Sequence, residues 1–416
     1  VRHGLCFTKM TTLASLTTAW IVLRVMVRTT RKLVPALFET DESRSSRMSA
    51  QSARHQRYSL RSWLRVNGDV ERTARCGLGT VDGTVRLNVG RGLSGRRVAG
   101  ASGLITCGSP WACPVCSAKV SATRQTDVLT AFEKLRSQGS QVMFATFTMR
   151  HTVDMPLAYV WDGLADAWRA FVSGKGYVDL RDRYGILGFI RAVEVTHGSN
   201  GWHVHVHAAL AIRPGYEPDR DTLELELFTR WESSLARFGF SAERAHGVDV
   251  TRTFSDSGLA RYMSKNGLAA ELTQGSQKKS RTPFAILADL AKKGDAPMCE
   301  CGKSRRCDIC LWREWEQASK GRRQLTWSRT LTTFIQETPV DETSDTFMEE
   351  RVTVLLIQSM AWRYVDEVPG RLPDLLSTLE TAGIRAATLL LDEWSVPWAY
   401  PSTLPPTHLF EMEYVA

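Results

Sequence analysis

Apolar residues recur along this chain at two periods, and the switches between them predict its elements. From Ser49 to Asn67, SAQSARHQRYSLRSWLRVN sets Tyr58, Leu60, Trp63 and Leu64 at roughly helical spacing among arginines, which predicts a basic amphipathic helix. Glycine and arginine dominate Gly77 to Gly103, where short β-type runs such as TVRLNV sit between turn signals. SAKVSATRQTDVLTAFEKLRSQG returns to helical intervals and closes at Gly139. QVMFATFTMRH then predicts a strand and WDGLADAWRAFVSG a helix. In GILGFIRAVEVTHGSNGWHVHVHAALAI, two strands meet at Asn200-Gly201, a strong short-range hairpin signal. A helical pattern follows from Thr222 to Phe238. GLARYMSKNG predicts a short helix with Asp256 or Ser257 as N-cap and Gly267 as stop. In the last part of the chain, VTVLLIQSMAWRYV and LPDLLSTLETAG read as helical. Strands and helices interleaved around an antiparallel hairpin predict an α+β domain with an antiparallel sheet, not a parallel Rossmann sheet. Internal repeats are not visible.

Charge adds a partner class to this outline. The 416 residues carry a net +9, but residues 336–416 hold four basic and fourteen acidic side chains, so this tail is −10 and the body before it +19. A surplus of that size suits a polyanion such as DNA, although a generally basic surface gives the same number. TTLASLTTAWIVLRVMV, near the start, is too short for a membrane span and contains Arg24, so no membrane partner is expected. The sequence begins at Val1, and domain-like basic sequence starts only after Met48. The first 47 residues therefore read as a start assigned too far upstream; mass spectrometry that finds them on the native amino terminus contradicts this. Eight of the nine cysteines fall in two tight groups, which points to metal binding in a reducing cytoplasm rather than to disulfides.

The histidines His203, His205 and His207 alternate with Val204 and Val206, so a strand puts all three imidazoles on one face and the valines toward the core. With a two-residue Asn200-Gly201 loop, Glu194 stands opposite His207 and Thr196 opposite His205, and Glu194 shares the histidine face. A three-residue loop would turn it away. Two neutral imidazoles and a carboxylate suit Mg2+ or Mn2+ poised on a phosphate oxygen, or a more tightly held transition metal. A lone exposed histidine would mean nothing; three in alternation beside an acid are rarer. His203 has the least defined role, as a ligand, a neighbour of the metal or a DNA contact.

In ARYMSKN, Tyr262 and Lys265 share a helical face, with Asn266 one residue on. A phenol with a pKa near about 10 becomes a competent nucleophile toward a phosphodiester when a cation favours its phenolate. On its own this pair would be an ordinary packing tyrosine and a solvated lysine, and it gains meaning from the hairpin upstream.

FATFTMRH, GWHVHVHAAL and RYMSK, in this order, resemble the three motifs of plasmid rolling-circle replication initiators of the HUH endonuclease superfamily. The similarity continues through RTARCG and TCGSPWACPVCSAK upstream and RTPFAILADLAKKGD and LWREWEQASKGRRQLTWS downstream, from about Tyr58 to Ser328. This resemblance implies a ferredoxin/RRM-like HUH nuclease domain. It implies that Tyr262 attacks the nick-site phosphate and stays on the 5′ end, that the freed 3′ hydroxyl primes a host polymerase, and that His205 and His207 hold the metal. Lys265 would orient the phosphate or the metal-bound water. Thr146, Thr148 and His151 fall in the first motif, whose role is less defined. Some relatives carry an acid four positions before the tyrosine, where Gly258 stands here, so the residue that ends the cycle is open between Asp256, Glu194 and neither.

In CGSPWACPVC, Cys107, Cys113 and Cys116, with Cys76 upstream as a fourth ligand, fit a structural zinc. Such a site would pin the glycine-rich segment to the next helix, as a staple alone or as part of a contact with duplex origin DNA. CECGKSRRCDIC offers Cys299, Cys301, Cys307 and Cys310 for a second zinc, or else an exposed, oxidation-prone loop.

The expected organisation is a 1–57 extension, a 58–130 basic zinc-binding segment, a 131–275 endonuclease domain, a 276–335 basic linker with the second cysteine group, and a 336–416 acidic helical tail. Origin DNA, double- and single-stranded, and a host helicase and polymerase are the expected partners, with salt-sensitive backbone contacts. Two other readings compete: a relaxase or single-strand transposase with the same hairpin, and a non-catalytic zinc-dependent DNA-binding regulator.

Overall fold

The computed structural model describes residues 41–91, 96–251, 280–294, 299, 301–302, 306–335 and 352–402. In chain order the helices are α1 (Asp41–Asn67), α2 (Glu71–Ala74), α3 (Pro114–Ser137), α4 (Leu157–Phe171), α5 (Lys175–Arg183), α6 (Arg220–Ala236), α7 (Pro283–Lys292), α8 (Asp308–Ser319), α9 (Arg329–Ile335), α10 (Ser359–Asp366), α11 (Arg371–Thr381) and α12 (Gly383–Glu393). The strands are β1 (Thr84–Arg91), β2 (Arg97–Ser102), β3 (Gln141–Phe147), β4 (Ile186–Gly198), β5 (Gly201–Ile212), β6 (Val248–Thr251), β7 (Ser280–Arg281), β8 (Leu325–Trp327) and β9 (Val352–Gln358).

Two antiparallel sheets organise these elements. The larger runs β6-β3-β5-β4-β7, with β8 also on β4. Alternation along β5 splits its side chains cleanly. Val204, Val206, Ala208, Leu210 and Ile212 enter a core with Trp161, Leu164 and Trp168 of α4 and Leu227 and Trp231 of α6. Ala209 and Ala211 face the other way, with Phe144, Ile190 and Ala192, and Val128, Phe132 and Leu135 of α3 cover them. Helix α3 thus covers only the end of this face away from the β4–β5 turn, and the histidines lie toward that turn. The α+β, antiparallel expectation holds.

Three details differ from the sequence reading. VTVLLIQSMAWRYV is not one helix: its first seven residues form β9, and α10 begins at Ser359. A short apolar run rich in β-branched residues fits either state, and pairing with β1 decides it by burying Val354, Leu355 and Ile357 with Val85, Leu87 and Val89. In consequence, residues 352–402, read as part of an acidic helical tail, add a strand to the sheet β2-β1-β9 and pack on it as a cap with α10, α11 and α12. The hairpin register is also shifted. Gly198 pairs with Gly201 around a Ser199–Asn200 turn, which places Glu194 opposite His205 and Thr196 opposite His203. Moving the register by two residues preserves the face, so Glu194 still joins the histidines. Gly201 takes φ +85°, and a Cβ there would stand 2.8 Å from the Val153 Cα, so both the turn and its neighbour require glycine.

No helix among the described residues is long and apolar enough to cross a membrane. The early apolar stretch and the segment Asp256–Gly267, with Tyr262 and Lys265, lie outside the described residues.

A buried ion cluster ties the late helices to the first cysteine group. Asp366 of α10 accepts hydrogen bonds from Arg61 and Arg65 of α1, Arg65 also donates to the Cys76 carbonyl at 3.0 Å, and Trp362 Nε1 donates to the Gly77 carbonyl at 3.2 Å. Arg61 and Asp366 are almost wholly buried. Removing the carboxylate leaves two guanidinium groups without their counterion, which costs about 3–5 kcal/mol. Asp366→Ala should therefore unfold at clearly lower denaturant than the native chain by circular dichroism; an unchanged midpoint would show that the cluster does not hold these helices.

Candidate metal centre

Register brings three polar side chains of the half-covered face together. Across the β4–β5 pair, Glu194 Oε2 lies 3.2 Å from His205 Nε2 and 2.9 Å from His207 Nε2. The candidate donor atoms of these three residues all fall within 4.8 Å of one another, a set that could hold a metal ion. His207 is buried against Phe144, whose ring stacks on it at 5.4 Å, whereas the Glu194 side chain keeps a third of its surface open, so the site has one wet side.

Electrostatics fit ligation. Burial pushes the Glu194 carboxyl up, but hydrogen bonds from His205 and His207, with their charge, outweigh it and hold the group well below the ordinary carboxylate range. Burial lowers His207 below its ordinary value despite its bond to Glu194. Burial first, then the neighbouring imidazoles of His205 and His151, push His203 down to about 4. An ionised carboxylate beside imidazole nitrogens is a donor set that a divalent cation can use. The Nδ1 atom of His205 is buried without a hydrogen-bond partner among the described residues.

His203 stands aside from this trio. Its Nδ1 lies 3.0 Å from His151 Nε2, and His151 Nδ1 lies 2.9 Å from the Asn200 carbonyl in the hairpin turn. The geometry thus groups Glu194, His205 and His207, and places His203 with His151 as a neighbouring pair. On β3, Thr146 pairs with His207 and sets its Oγ1 3.1 Å from His207 Nδ1. Thr148 donates to the His246 carbonyl at 2.6 Å and so joins β3 to the loop before β6.

Glu314 has a supporting role that sequence reasoning missed. It accepts from Leu157 N at the start of α4 at 2.6 Å and from Trp202 Nε1, next to His203, at 2.9 Å. Trp315 beside it stacks between Trp161 and Trp202 and donates to the Trp111 carbonyl at 3.0 Å. Within LWREWEQ nothing but the clustered tryptophans signalled this, and they fit any core helix.

Both cysteine groups assemble. Cys76, Cys107, Cys113 and Cys116 are buried, with Sγ separations of 3.5 Å for Cys76–Cys116, 3.6 Å for Cys107–Cys116 and 3.7 Å for Cys76–Cys113. Cys113 caps α3 by accepting from Cys116 N, and Ser109 N donates to Cys107 Sγ. Cys299, Cys301, Cys307 and Cys310 gather with separations of 3.3–3.6 Å, and Cys307 sits at the N-cap of α8. Each group could hold a metal ion, and all eight thiols are free of disulfides.

Residues 100–231 match a sequence family described as a replication protein. The chain resembles plasmid replication initiators. It is similar to "Protein rep" of Streptomyces lividans, 27% identical over 288 residues that cover 55% of this chain and 63% of that protein. It is also similar to "Neomycin resistance protein" of Streptomyces cyanogenus, 31% identical over 180 residues that cover 35% of this chain and 41% of that protein. The chain therefore spans less than two thirds of either relative. No solved structure matches it. The replication-protein segment runs from β2 into α6 and contains Thr146, His151, Glu194, the three histidines and Cys107, Cys113 and Cys116. Tyr262 and the second cysteine group lie beyond it.

The two thiol groups differ in exposure: the first is buried throughout, while Cys299 is exposed and its partners half-buried. Brief alkylation of the native protein, followed by peptide mass spectrometry, should label Cys299 and its neighbours well before Cys76, Cys107, Cys113 or Cys116. Equal labelling of the two groups would contradict this packing.

Proposed function

We propose that this chain is a plasmid rolling-circle replication initiator with an HUH-type nuclease domain, which nicks one origin strand through Tyr262 and leaves a 5′-phosphotyrosyl link. The observation that carries this reading is the convergence of Glu194, His205 and His207 on the uncovered half of one sheet face, inside the segment similar to replication proteins. One acidic oxygen and two neutral imidazole nitrogens fit Mg2+ or Mn2+ and leave room for a phosphate oxygen. A cation held there supplies Lewis-acid charge stabilisation to the scissile phosphate.

The chain's own residues supply the rest. Tyr262 donates its phenolic oxygen to phosphorus as the bond to the 3′ oxygen breaks; the phenol loses its proton and the departing oxygen takes one up, freeing a 3′ hydroxyl primer. Lys265 offers a cation to the phosphate or to the phenolate. A host helicase and DNA polymerase would then extend the primer. With Gly258 in place of an acid, closing the cycle falls to a second group, with Asp256 and Glu194 as candidates.

Both cysteine groups fit structural Zn2+. Four thiolates at the usual Zn–S length of about 2.3 Å stand roughly 3.8 Å apart in a tetrahedron, close to the separations found. Backbone N–H groups of Cys107, Ser109 and Cys116 point at sulfurs of the first group, as thiolates require. The +19 carried by residues 1–335 provides the positive charge for origin DNA.

A supercoiled plasmid carrying the cognate origin, incubated with Mn2+ and the native chain, should yield nicked DNA with protein on its 5′ end, and Tyr262→Phe should yield none. Failure of the native chain to form any adduct would favour a non-catalytic DNA-binding regulator, and an adduct formed by Tyr262→Phe would assign the nucleophile elsewhere.

A further inference from the structure

The first motif, FATFTMRH, has no obvious chemistry of its own, yet two of its polar side chains touch the histidines of β5. Thr146 faces His207 directly across the β3–β5 pair, with Oγ1 3.1 Å from Nδ1 on the side of the ring opposite Glu194. His151 stands in the same relation to His203 and ties it to the turn through the Asn200 carbonyl. We propose that Thr146 is a positioning residue of the metal centre, a rotatable hydroxyl that holds His207 with Nε2 turned to the cation whichever ring nitrogen carries the proton. This inference rests on the metal reading of Glu194, His205 and His207.

The argument is one of donors and acceptors. Without a cation, a neutral His207 whose Nε2–H donates to Glu194 Oε2 presents Nδ1 as an acceptor for the Thr146 O–H. With a cation on Nε2, the neutral ring must carry its proton on Nδ1, and that N–H needs an acceptor. His207 is 3% exposed, so water is a poor substitute. A hydroxyl serves both states by rotating, because it donates and accepts. A backbone carbonyl could serve only the loaded state and an amide N–H only the empty one. Partners of this kind typically set metal affinity by roughly 10- to 100-fold when removed.

The test is Mn2+ binding to the full chain by isothermal titration calorimetry, with Thr146→Val, which keeps the shape and loses the hydroxyl, and Thr146→Ser, which restores it. Thermal unfolding without added Mn2+ accompanies each variant to report folding. The expected result is Mn2+ affinity weakened roughly 10- to 100-fold in Thr146→Val and recovered in Thr146→Ser to within about threefold. Native-like affinity in Thr146→Val overturns the inference while leaving the metal reading standing, and so does a Thr146→Ser variant as weak as Thr146→Val. No Mn2+ uptake by the native chain overturns the metal reading itself, and the inference with it.

Discussion

Everything around the candidate site depends on the two-residue period of β5. Its valines, with Ala208, Leu210 and Ile212, are needed on the side packed by α4 and α6, and this leaves His203, His205 and His207 no choice of face. A slip of one residue would bury imidazoles among tryptophans and expose valines, so the apolar core fixes the polar site more firmly than any contact within it. Glu194 follows from the same rule on β4, and Thr146 on β3. Three strands contribute one polar side chain or more to a face that is otherwise Phe144, Ile190, Ala192, Ala209 and Ala211.

Both thiol groups lie at the starts of helices that pack on the large sheet, on its two opposite faces. Cys113 and Cys116 open α3, which covers the far end of the histidine face, and Cys307 and Cys310 open α8, which carries Glu314 and Trp315 against the hairpin and α4. A metal ion at the first group would therefore fix the origin of the helix that limits the site, and one at the second the helix that braces the hairpin from behind. The late helices add a further brace through Asp366, Arg61 and Arg65, which converge beside Cys76. Long-range pairing of β1 with β9 joins residues more than two hundred positions apart and closes this brace.

Local pattern made much of this legible. The helices α3, α4 and α6 follow from apolar periodicity and glycine stops, and the histidine face from simple alternation. Four cysteines drawn together from Cys76 to Cys116 follow from spacing and number. What escaped were features set by distant chain. Val352–Gln358 reads equally as helix or strand until β1 is there to pair with it. The partner of Glu194 depended on which two residues make the turn, and Asn200-Gly201 yields to Ser199–Asn200 because Gly201 is needed at φ +85° against the Val153 backbone. Glu314 gave no signal, since a glutamate on an amphipathic helix looks solvated until Trp202 and the amide of Leu157 converge on it.

The central claim is that Glu194, His205 and His207 share one divalent cation. Crystals of the full chain soaked in Mn2+ and measured at a wavelength where manganese scatters anomalously test it most directly. The account predicts one anomalous peak within coordination distance, about 2.0–2.4 Å, of Glu194 and of the Nε2 atoms of both histidines, distinct from peaks at the two thiol groups. Anomalous density confined to the cysteines, with the Glu194 and His207 hydrogen bond intact in Mn2+, would contradict it.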